Sequence, residues 1–128
     1  MKRKYVCGLV LLAASGIAAS LVSSAPAGED LDPLKVAGDT HKLVMENAFV
    51  RIIEARVPAG KLEAKHSHPH GFTVHLADYT VEQTTFPDGK VTRLERKFGG
   101  VVWSDGVVHE VRNVGKTPSH AIRVELKH

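Results

Sequence analysis

The chain has 128 residues, 17 Lys plus Arg against 14 Asp plus Glu, and a formal charge of +3, a size that fits one domain. Lys2, Arg3 and Lys4 hold the whole excess, and without them 14 basic residues face 14 acidic ones. A neutral body behind a basic tip lacks the charge footprint of a nucleic-acid protein.

That tip opens an N-terminal signal peptide pattern over residues 1–27. The run from Val6 to Val22 is small or apolar, and Ala25 and Ala27 stand at the −3 and −1 positions of a cut after Ala27. The run is slightly short for a membrane span, and a retained anchor is the alternative reading. Cleavage leaves about 101 residues without cysteine, because Cys7 is the only one, so no disulfide supports the mature domain. The mature form is expected in a periplasm or outside the cell, and not in a membrane.

Residues 28–40 are polar and turn-rich and read as a loose lead-in. A β-barrel domain is expected over 41–126. Strands are predicted at His41–Met45 and Phe49–Val57; the second has no cleanly apolar face and is assigned to an edge or an oligomer contact. An extended stretch from Leu62 to His68 is followed by a break at Pro69–Gly71 and a short strand at Phe72–Leu76. Thr80–Phe86 and Lys90–Phe98 flank Pro87-Asp88-Gly89 as a hairpin. Val101–Trp103, a turn at Ser104–Gly106, Val107–Val111 and Ala121–Leu126 complete an all-β series. There is no phosphate loop, no nucleophile elbow and no thiol for a Cys–His pair.

His66-Ser67-His68-Pro69-His70 is the informative cluster, with His75 and His109 further on. On a strand, residues i and i+2 share a side, so His66 and His68 can face one point. With His109 from a later strand they form a candidate site for a divalent transition metal (Zn, Cu, Fe, Ni or Mn). Surface histidines are the competing reading, and His41, His120 and His128 are taken as incidental. Glu63 is expected to face opposite to His66 on an unbroken strand. Tyr79, Phe86 and Phe98 read as packing residues, and Asn113 as a turn-stabilising side chain.

The spacing resembles the cupin superfamily of compact jelly-roll β-barrels. Gly60, five residues, then His66-x-His68 follow the first cupin motif, and Gly106, His109 and Asn113 follow the second. The glutamate of the first motif is missing, with Phe72 and Thr73 where it should stand. The resemblance implies a barrel-centre metal on His66, His68 and His109, with His75 favoured and His70 the alternative as fourth ligand. If Thr73 faces the interior, so does His75; if Phe72 does, His70 or water must serve. Thr73 and Trp103 are candidate pocket walls. The resemblance also implies a homodimer and a small-molecule ligand. The leading functional expectation is an exported metal-binding protein without assigned catalysis. The alternatives are a metal-dependent dioxygenase or isomerase, and a metal-free structural barrel.

Overall fold

A computed structural model describes residues 28–128. The expected signal peptide, with Ala25 and Ala27, lies outside the described residues. Among the described residues no helix is long and apolar enough to cross a membrane.

One short helix, α1 (Pro33–Val36), precedes seven strands: β1 (His41–Glu46), β2 (Val50–Val57), β3 (Leu62–His75), β4 (Tyr79–Thr85), β5 (Lys90–Arg96), β6 (Val101–Asn113) and β7 (Ser119–Leu126). They form a single antiparallel sheet in the order β1-β2-β7-β3-β6-β4-β5. The all-β expectation is met. The lead-in is more structured than its composition suggests. Asp32 caps α1 by accepting from Leu34 N at 2.9 Å, Pro33 occupies the first turn, and Ser67 N donates to Leu31 O at 2.8 Å. The 79–96 hairpin forms as its alternating arms and Asp88-Gly89 turn predict.

Two expected breaks are continuous strands. Pro69 pairs opposite Gly106 and Gly71 opposite Ser104, so β3 and β6 bend together and keep one register from His66 to Val74. Gly71 makes the bend possible: a Cβ there would stand 2.0 Å from Val124 O of β7. Gly106 adopts φ +122, a conformation that side-chain-bearing residues avoid. β2 is also not an edge: β1 and β7 flank it along its length.

The bend lets the sheet curl over itself. The rings of His41 on β1 and His66 on β3 come within 4.8 Å although two strands separate them in the sheet. The interior is unusually polar. Buried Ala37, Ile53, Val57, Val81 and Ala121 are outnumbered by ten buried polar residues. Since burying polar groups is unfavourable unless they are paired, this interior is shaped around a site as well as a core. Asn113, fully buried, closes one end by donating to Val57 O and Thr117 O and accepting from Gly115 N.

Candidate metal centre

His66 and His68 alternate inward on β3, and His109 is the cross-strand partner of His66 on β6. The pairing therefore delivers three imidazoles to one point. Nε2 of His66 lies 3.1 Å from Nε2 of His68 and 3.0 Å from Nε2 of His109. With metal–nitrogen bonds of ~2.0–2.1 Å, two ligands at right-angled to tetrahedral geometry stand ~2.9–3.4 Å apart. The spacing fits.

The opposite ring nitrogens show what these atoms carry. His66 Nδ1 donates to Ala64 O at 2.6 Å, His68 Nδ1 to Glu125 Oε1 at 2.6 Å, and His109 Nδ1 to Gln83 Oε1 at 3.1 Å. Burial pushes His66 down to about 4, and burial with neighbouring histidines pushes His109 to about 2. His68 is lowered too, mainly by burial. The rings are thus neutral, with Nδ1 protonated and Nε2 bare. With Nδ1 holding the proton on each ring, the lone pair of His66 Nε2 meets those of His68 and His109, an arrangement that a cation relieves.

His41, His66 and His68 form an overlapping buried triad, with nitrogens within 4.8 Å of one another, that can coordinate a divalent metal. His41 was expected to be incidental, but it is 3% exposed. Its Nε2 lies 2.9 Å from Glu63 Oε1. Glu63 reaches it because a bulge between Glu63 and His66 reverses the alternation, which places Glu63 inward instead of opposite to His66. His41 Nε2 is already engaged by Glu63, whereas Nε2 of His66 meets Nε2 of His68 and of His109.

His75 takes a different place from that expected of a fourth ligand. It is buried in the same cavity, but its Nδ1 meets the Tyr79 hydroxyl at 2.6 Å and its Nε2 has no partner. Nor does His70 join the cluster: its Nε2 is 3.1 Å from His128 O, near Trp103. Thr73 and Trp103 both line the cavity, whose volume is about 340 Å³. Phe98 is 72% exposed and does not pack. His120 is also engaged, with Nε2 2.7 Å from Glu54 Oε1.

Glu125 was not singled out in the sequence. Burial alone would raise it, yet the bonds from His68 and Arg51 hold it below the usual carboxylate range. Arg51 Nε donates to Glu125 Oε2 at 2.7 Å and Arg51 Nη1 to Asp32 at 2.7 Å, so the lead-in is tied to His68 through two side chains. The strict inward alternation of β7 was the available signal, but polar Ser119, Arg123 and Glu125 disguise its buried face.

Comparison with solved structures identifies the architecture. A cupin domain from Bordetella pertussis Tohama I superposes with a TM-score of 0.62 at 23% identity, covering 69% of this chain and 92% of that one. An RmlC-like cupin family protein with a double-stranded β-helix fold from Methanocaldococcus jannaschii gives 0.54 at 16% identity, covering 69% and 79%. An uncharacterized conserved protein with a double-stranded β-helix domain from Klebsiella pneumoniae gives 0.53 at 23% identity, covering 67% and 74%. The domain has the fold of these proteins, a cupin-type double-stranded β-helix. No protein-family model and no curated protein sequence matches the chain.

Proposed function

We propose that this protein binds one divalent transition metal through Nε2 of His66, His68 and His109, and presents it to a small molecule in the cavity. The approach of His68 Nε2 and His109 Nε2 to His66 Nε2, at 3.1 and 3.0 Å, carries the reading. The hydrogen bonds from Nδ1 to Ala64, Glu125 and Gln83 fix the rings and their tautomers, as second-shell partners of metal-bound histidines do. An all-imidazole set suits zinc, copper, nickel or iron; manganese suits oxygen ligands better. A metal held there supplies a Lewis acid for a ligand oxygen.

Binding without assigned catalysis is the primary reading. The cavity, with Trp103 54% exposed on its wall, leaves room for a ligand beside the metal. This favours a metal-dependent enzyme of dioxygenase or isomerase type as the second reading. Export follows from the N-terminal pattern of residues 1–27. Exposed Leu43, Met45 and Phe49 on and beside edge strand β1 support a homodimer.

Zinc titration against a chromophoric chelator tests the site. Wild type should bind one equivalent. His109→Ala should lose more than the ~10–100-fold that changes outside the ligand set cost, and His41→Ala no more than ~10-fold. The opposite ranking would move the site to the His41 triad. Absence of stoichiometric binding by zinc, copper, iron, nickel and manganese would leave the structural barrel.

A further inference from the structure

The cavity holds a buried cation without an anion of its own. Arg123 projects from the inward face of β7, is 5% exposed, and lines the cavity with His66, His68 and His109. Nη2 donates to Pro69 O at 2.5 Å and Nη1 to Thr73 Oγ1 at 3.4 Å, while Nε is buried with no partner. A guanidinium has five N–H groups, so three remain unspent. Among the described residues no carboxylate forms an ion pair with it. Glu125, two residues along the same face, is already engaged by His68 through one oxygen and by Arg51 through the other.

The surrounding charges sharpen the deficit. Arg51, by comparison, has two carboxylates. Among the described residues Glu63 is the only acidic side chain on the cavity wall, and it faces His41. Three neutral imidazoles add no negative charge against a divalent ion, and the glutamate expected from the cupin motif is missing. A buried charge is stable when paired, and a guanidinium fork matches a carboxylate in shape as well as charge.

We infer that Arg123 is the anchor for the carboxylate of a small organic acid, whose body lies against the aliphatic wall formed by Val57, Val81, Leu94 and Val107. Carboxylate fits better than phosphate. Arg96 lines the cavity too, but Arg123 is the buried one of the two guanidiniums, and much of the remaining wall is apolar, which suits a singly charged head on a hydrocarbon body. The inference rests on the proposed metal centre for placing the acid beside a metal; the contact to Arg123 is testable without it.

The test uses the full protein, stripped with chelator and then separately loaded with zinc, titrated with acetate, pyruvate, benzoate and neutral benzamide. In the metal-free protein, at least one carboxylate should bind and shift the side-chain Nε–Hε NMR signal of Arg123, and benzamide should not. Arg123→Gln should weaken that carboxylate at least tenfold while keeping zinc binding, and Arg123→Lys should fall between. The NMR arm decides the matter even if neither variant folds. An unmoved Arg123 signal with all three acids, an equal response to benzamide, or unchanged affinity in folded Arg123→Gln overturns the inference. Failure of zinc to bind, with the Arg123 response intact, would instead overturn the metal centre alone.

Discussion

His68 donates from Nδ1 to Glu125 Oε1 at 2.6 Å, and so turns a bare Nε2 toward His66 Nε2, 3.1 Å away. This carboxylate comes from β7, at the far end of the chain from the His-x-His segment. Glu125 does for His68 what the backbone carbonyl of Ala64 does for His66: each fixes a tautomer that a metal requires.

Glu125→Gln should therefore reduce zinc affinity by ~10–100-fold without removing a ligand. The amide can still accept from Nδ1 but no longer carries the charge that Arg51 and His68 share. Chelator competition on Glu125→Gln, His68→Ala and the double variant checks this. The two losses should be strongly non-additive, because Glu125 acts through His68. Fully additive losses would show that Glu125 acts elsewhere.

Acid should destabilise the metal-free protein in a defined window. Burial holds His66 at about 4 and lowers His68 and His109, while the unfolded chain titrates its histidines near 6.5. Below pH 6.5 the unfolded state takes up protons that the folded state does not. The stability carried by these neutral rings is complete above 6.5 and is lost as pH falls toward 4. Each ring accounts for up to ~1.4 kcal/mol per pH unit. Urea midpoints should fall steadily between pH 7 and pH 5, and a flat profile would contradict the neutral, buried cluster.

Two glycine substitutions should differ sharply. Gly71→Ala puts a methyl 2.0 Å from Val124 O, where β3 and β7 meet, and should cost at least ~3 kcal/mol or prevent folding. Gly60 has φ +79 with open space around it, so Gly60→Ala should cost only the ~1–2 kcal/mol of a left-handed residue. Thermal unfolding of both variants measures the contrast. Equal losses would mean that backbone strain, and not the close approach of β7, governs the bend.

Asn113→Ala removes the donors to Val57 O and Thr117 O and the acceptor for Gly115 N from a fully buried position. It should destabilise by ~2–4 kcal/mol, since the backbone groups left behind lose their partners. Zinc affinity of the folded fraction should stay near that of wild type. A specific loss of zinc binding with unchanged stability would assign Asn113 to the metal centre.

What could be read from the sequence was the part encoded by short-range spacing. His66 and His68 share a strand face by simple alternation, and His109 follows Gly106 at a recognisable interval, so all three could be selected before any fold was seen. His41, Glu63 and Glu125 could not. His41 reaches the cluster only through closure of the sheet, Glu63 only through a one-residue bulge, and Glu125 through an inward face that its polar composition conceals. The breaks expected at Pro69–Gly71 and Ser104–Gly106 became matched bends, because each strand supplies the other's partner. Turn residues mark a change of direction, but only pairing determines whether the strand ends there.

X-ray absorption at the zinc edge of the loaded protein is the most direct test of the centre. The convergence of His66, His68 and His109 predicts three imidazole nitrogens at ~2.0–2.1 Å, and two in His109→Ala. One imidazole or none in wild type, or an unchanged first shell in His109→Ala, would contradict it.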